Sequence, residues 1–267
     1  MAKRTAGDFE IGEPQLRSGW NATYPARYDD GCFSTQGQLS TGDQQLVTGA
    51  LAALRRLPEF EKHSSANEVY WLSLQLRKLL PGSEGMLAQL RAAVGEVDAL
   101  DAMVDRIVRR LYGPDVTLDG YGFINNPPGS RTQRWHMDYS PDYSNIFIPV
   151  ENYTAQNATQ YLVLPDGARE TAAYAAATAD LSCVNVDLLV RELGHVSVRQ
   201  LLAPHFSLLR MEWGTIHRGV TNATDALRVV FYISVVRRGA EVLAEKPFMN
   251  FAEYEAAAGN DVKEKDE

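Results

Sequence analysis

The chain has 267 residues, 45% hydrophobic and 22% charged, which is enough for one packed domain with extensions. A net charge of −8 argues against a nucleic-acid backbone or an anionic membrane as the main partner. Cys32 and Cys183 are the only cysteines, with no CxxC spacing, so a disulfide framework, a zinc finger and a redox dithiol are all disfavoured.

Free thiols suit a reducing compartment, no apolar stretch reaches membrane-spanning length, and no apolar run follows the first residues as in a signal peptide. A cytoplasmic, soluble protein is expected, and its oligomeric state is not legible. Residues 1–40 are rich in Gly, Ser, Thr, Asn and Asp and read as an irregular arm, with Trp20, Tyr24, Tyr28 and Phe33 to pack it on the body. Ser40 or Thr41 can cap a helix running to Leu57, with Val47, Ala50, Leu51 and Leu54 at helical spacing. A second helix is expected over 65–80, stopped by Pro81-Gly82, and a third over 83–111 with a break near Gly95. These elements form a helical buttress over 41–112.

From Val116 the period changes to short β-like runs, roughly 116–125, 132–139, 144–150, 159–165, 196–202, 205–213 and 227–237. Residues 166–194 interrupt them and carry an Ala-rich stretch with helical character. That insertion is either a lid over a binding site or a plain surface excursion. Residues 239–267 form an acidic tail. The whole chain, 1–267, reads as a single domain around a core over 116–238.

His136 and Asp138 are two apart and share a strand face; His217 follows seventy-nine residues after Asp138, and Arg228 eleven after that. Two imidazoles and a carboxylate make the facial triad of a non-haem Fe(II) site, which leaves three octahedral positions open. Arg228 opens a β-branched run, 228–236, and offers a planar fork for a carboxylate. Ligands on different short strands suggest a mainly β fold with flanking helices. Its core would be a double-stranded β-helix, that is, a jelly-roll or cupin-like barrel, with the N-terminal helices buttressing one sheet.

The ordered set His136-x-Asp138, His217 and Arg228, with the segments 148–154 and 157–168, resembles the Fe(II)/2-oxoglutarate-dependent oxygenases of the phytanoyl-CoA dioxygenase-like branch. The resemblance spans about 118–237. It implies Fe(II) held by His136, Asp138 and His217, with 2-oxoglutarate as co-substrate and O2 as oxidant. It also implies Arg228 on the distal carboxylate of 2-oxoglutarate, and oxidation of an unactivated C–H of a small molecule with release of succinate and CO2. Members that halogenate carry a small residue in place of Asp138, so its presence favours hydroxylation or a related oxidation. The family often has a hydroxyl residue two places after the second histidine, where this chain has Gly219. Thr221, Tyr121 or Tyr232 are the candidate replacements. Asn125 is a candidate amide for 2-oxoglutarate, or else simply leads into the 126–129 turn.

Arg134 shares parity with the triad, and Tyr139, Tyr143 and Asn145 follow it, so these four are candidate substrate contacts at the barrel mouth. Arg131, Arg210, Arg218, Arg237 and Arg238 lie near the site or the barrel ends and allow an anionic substrate. Two alternatives remain: a facial-triad Fe(II) oxygenase that uses no 2-oxo acid, and a non-catalytic cupin-like binding protein.

Overall fold

Two antiparallel sheets carry the chain in a computed structural model that describes residues 31–56, 72–75, 88, 91–138, 141–240 and 248–250. The larger sheet has the order β1-β7-β4-β9-β3-β2-β10, from strands Phe33–Gln38 (β1), Ser207–Met211 (β7), Tyr143–Pro149 (β4), Arg228–Arg237 (β9), Val116–Asn126 (β3), Leu72–Gln75 (β2) and Phe248–Asn250 (β10). The smaller has the order β6-β5-β8, from Ser197–Gln200 (β6), Gln160–Val163 (β5) and His217–Arg218 (β8). This is the double-stranded β-helix that the strand pattern suggests.

Period-two alternation sorts side chains between two cores. On β9, Val229, Phe231, Ile233 and Val235 face helices, while Val230 and Tyr232 face the space between the sheets. The helical side holds α1 (Thr41–Leu54) and α2 (Val97–Tyr112), which bury Val47, Leu51 and Leu54 and Leu100, Val104 and Ile107 against the large sheet. Ser40 caps α1, its hydroxyl accepting from Asp43 N at 3.2 Å. Gly95, at φ 78°, breaks the third predicted helix ahead of α2, and Gly113, at φ 68°, ends it. Between the sheets, Phe33, Phe147, Tyr153 and Tyr161 are fully or almost fully buried.

Several expectations are corrected. Residues 33–38, read as irregular arm, form β1 and pair with β7, with Phe33 opposite Met211; the apolar Phe33 anchors a strand whose remaining residues are polar. Within the expected second helix, 72–75 form β2, paired with β3; the rest of that helix, residues 1–30 and most of the acidic tail lie outside the described residues. The expected strand 132–139 is reduced to one bridge, His136 to His217. A two-residue β8 offers it little edge to pair with. The insertion carries α3 (Ala172–Ala177) and α4 (Val186–Leu193), the first within the Ala-rich stretch. Among the described residues, no helix is long and apolar enough to cross a membrane.

Candidate active site

The short pairing of the His136 segment with β8 brings both histidines to one place. His136 N donates to His217 O at 3.0 Å, and His217 N returns to His136 O at 2.9 Å. The rings lie 4.5 Å apart. Asp138 reaches both: Oδ1 is 3.6 Å from His136 Nε2, and Oδ2 is 3.5 Å from His217 Nε2. One ligand atom from each residue falls within 4.8 Å of the others, and this is the one such group of three or more among the described residues.

Each imidazole is oriented by its far nitrogen. Nδ1 of His136 lies 2.9 Å from Arg134 O, and Nδ1 of His217 lies 3.1 Å from Thr215 O. A carbonyl can only accept, so both Nδ1 atoms carry the proton and both Nε2 lone pairs face Asp138. Withdrawal from solvent, then the neighbouring His217, lowers the His136 pKa to about 4, against an upward pull from Asp138. The ring is therefore neutral at pH 7, as a metal ligand must be. Asn145 Nδ2 donates to Asp138 Oδ2 and fixes the carboxylate. Two nitrogens and one carboxylate without thiolate suit Fe(II) better than structural zinc.

Arg228 opens β9, with its Nη2 3.2 Å from where a Cβ at Gly219, two residues after His217, would stand. It is 4% exposed, its Nε donates to Asn126 Oδ1 at 3.1 Å, and its Nη1 donates to Asn157 O at 2.6 Å and Val220 O at 3.1 Å. Burial lowers its pKa, and no carboxylate pairs with it among the described residues. The structural ion pair that would have been the plain reading of a buried arginine is thus not what holds it. Its Nη2 is not used in these bonds.

Gly219 sits beside that group. A Cβ there would lie 2.6 Å from Gln133 Oε1 and 3.2 Å from Arg228 Nη2. Gln133 Oε1 already accepts from Gly219 N at 2.6 Å, and Gln133 N donates to Gly219 O at 2.8 Å. The amide of Gln133 therefore occupies the room that a side chain at 219 would need, on the side of Gly219 where Arg228 Nη2 also stands. Of the three candidate replacements, Thr221 and Tyr121 are engaged elsewhere, while Tyr232 lies between the sheets. Thr221 Oγ1 lies 3.0 Å from Thr132 Oγ1 in an exposed pair. Tyr121 points to the helices and donates to Asp101 Oδ1 at 2.5 Å, and Tyr232 packs in the core between the sheets.

The other named residues divide as follows. Asn125 shares the parity of Tyr121 and Phe123 and so faces the helical side, buried, with neither side-chain polar atom bonded. Its neighbour Asn126 is the amide that meets Arg228, its register partner. Tyr143 is buried at the start of β4, and Asn145 is engaged with Asp138 rather than lining an open mouth. Arg134 is exposed, and Tyr139 lies outside the described residues. Sequence reasoning missed Gln133, Asn126 and Asn157. A pairing of 126 with 228 would have revealed Asn126, but nothing local marks the other two.

No family model and no curated protein matches the chain. Solved structures do. The non-heme alpha ketoglutarate dependent epimerase SnoN from nogalamycin biosynthesis aligns over 82% of this chain and 91% of its own, at 14% identity and TM-score 0.52. The non-heme alpha ketoglutarate dependent carbocyclase SnoK from the same biosynthesis aligns over 83% and 92%, at 13% identity and TM-score 0.52. At such identities the likeness establishes a shared fold.

Proposed function

We propose that the protein is an Fe(II)- and 2-oxoglutarate-dependent oxygenase that oxidises an unactivated C–H of a small molecule, with release of succinate and CO2. The observation that carries this reading is Arg228, buried without a carboxylate partner among the described residues, in a chain that also brings His136, Asp138 and His217 together. A buried guanidinium without a counter-anion is costly, and a dicarboxylate co-substrate would supply one. Gln133, through Nε2, and Arg228, through Nη2, would then serve as a two-donor clamp for its distal carboxylate beside Gly219.

His136, Asp138 and His217 would hold Fe(II) through two Nε2 atoms and one carboxylate oxygen, with Asn145 keeping Asp138 in place. When bound, iron with 2-oxoglutarate and O2 supplies the oxidising power for C–H cleavage. The chain's own part is to hold the ligands oriented and to anchor the co-substrate. Phe147, 5.8 Å from the His217 ring, and the aromatic core behind it keep that wall dry.

SnoN and SnoK are named for epimerisation and carbocycle formation, so hydroxylation is one of several outcomes open to this scaffold. Gly219 is the feature that favours an oxygenase without a 2-oxo acid, and Gln133 accounts for it. The test is aerobic incubation with Fe(II), 2-oxoglutarate and a panel of small molecules, measuring succinate. Substrate-stimulated succinate that Arg228→Ala abolishes is expected. Substrate oxidation unaffected by omitting 2-oxoglutarate would overturn the reading.

A further inference from the structure

The insertion over 166–194 packs on the outer side of the small sheet, where Leu162, Ile216 and Met137 meet Ala177, Val184 and Leu189. Met137 is the residue between the two ligands of the His136-x-Asp138 motif, and it is 3% exposed.

The ligand segment has one sheet neighbour, β8, which bonds it at His136. Its other edge is bonded by the insertion. Met137 N donates to Leu181 O at 2.9 Å, and Val184 N donates to Trp135 O at 2.7 Å. The backbone of 135–137 is thus held from both sides, with residues 181–184 standing where a further strand would be. The insertion also reaches the loop that leads to His217. Tyr174 OH lies 3.3 Å from Met137 Sδ and 3.5 Å from Gly214 O, and Arg169 Nη1 donates to Trp213 O at 2.6 Å. Tyr174 therefore touches both ligand-bearing segments, and burial raises its pKa, which keeps the hydroxyl a donor.

We infer that the insertion is an outer brace of the metal centre, and that Tyr174 is a positioning residue that sets the spacing between the His136-x-Asp138 segment and His217. The inference rests on the metal reading above. Groups that orient ligands without touching the metal commonly change affinity by about ten- to a hundred-fold when lost. A bond to sulfur and a long bond to a carbonyl place Tyr174 at the lower end of that range.

The test uses Co(II) as the probe metal, read by calorimetry and by its visible bands, on the full chain. Tyr174→Phe removes only the hydroxyl, Arg169→Gln removes the tether to Trp213, and exposed Glu192→Ala on α4 is the control. Tyr174→Phe is expected to bind Co(II) about ten-fold more weakly with altered bands, while the metal-free melting temperature stays within about 2 °C. Arg169→Gln should shift affinity in the same direction, and Glu192→Ala should leave it alone. Unchanged affinity and bands in both variants would overturn the inference. So would affinity losses that merely track a lower metal-free melting temperature, since those would make the insertion a structural cover. Wild type that takes up no Co(II) would instead overturn the metal reading, and the brace with it.

Discussion

Replacing Gly219 by alanine probes the co-substrate clamp while leaving the metal ligands and Arg228 themselves unsubstituted. The new Cβ would stand 2.6 Å from Gln133 Oε1, well inside contact distance, and 3.2 Å from Arg228 Nη2. Gln133 is half-buried at the end of a flexible side chain, so its amide swings away and surrenders the 2.6 Å bond to Gly219 N. The clamp then loses one of its two donors. A hydrogen bond to a charged group is worth ~1.5–3 kcal/mol, so the dissociation constant for 2-oxoglutarate should rise about ten- to a hundred-fold. Metal affinity should stay unchanged, because neither histidine nor Asp138 moves. The assay is anaerobic equilibrium titration of the Fe(II)-loaded protein with 2-oxoglutarate. Gln133→Ala should give a similar loss, and the double variant little more than either alone, because both remove the same donor. Adding serine at 219 to Gln133→Ala should restore part of the affinity through the new hydroxyl. Additive losses, or an affinity for 2-oxoglutarate that Gly219→Ala leaves intact, would refute the assignment of Gln133.

Asn145→Ala should free Asp138 and weaken Fe(II) binding about ten-fold, read by calorimetry. His136 has a folded pKa near 4, below its ordinary value, so the unfolded chain binds the extra proton first. Metal-free stability should therefore fall as pH drops from about 6.5 towards 4, as denaturant titrations at several pH values would show. Saturating 2-oxoglutarate with Fe(II) should raise the melting temperature, by about 2.7 kcal/mol of stability at a hundred times Kd, and Arg228→Ala should cancel the 2-oxoglutarate part. Phe231→Ala, fully buried between β9 and the helices, should cost about 3–5 kcal/mol in chemical denaturation.

The convergence of His136, Asp138 and His217 and the burial of Arg228 were legible because their chemistry fixes residue type and their strands fix parity. His136 and Asp138 face inward while Trp135 and Met137 face the insertion, as alternation requires. The strands of the core were legible because β-branched runs such as 228–236 allow little else. What was lost came from pairing and packing at a distance. β1 has one strongly apolar residue, Phe33, and becomes a strand because β7 offers it an edge. Residues 72–75 carry leucines compatible with either period, and the edge of β3 decides for strand. Asn125 and Asn126 are indistinguishable locally, and only the register against Arg228 selects Asn126. Gln133 could be found only by asking what fills the space beside Gly219. The brace role of 166–194 rests on backbone bonds to 135 and 137, which no side-chain pattern encodes.

The central claim is most directly tested by adding Fe(II) and then 2-oxoglutarate to the metal-free protein without oxygen and recording the visible metal-to-ligand charge-transfer band. The account predicts a saturable band that His217→Ala abolishes and Arg228→Ala shifts to much higher 2-oxoglutarate concentrations. Iron uptake with no band at any 2-oxoglutarate concentration would contradict it.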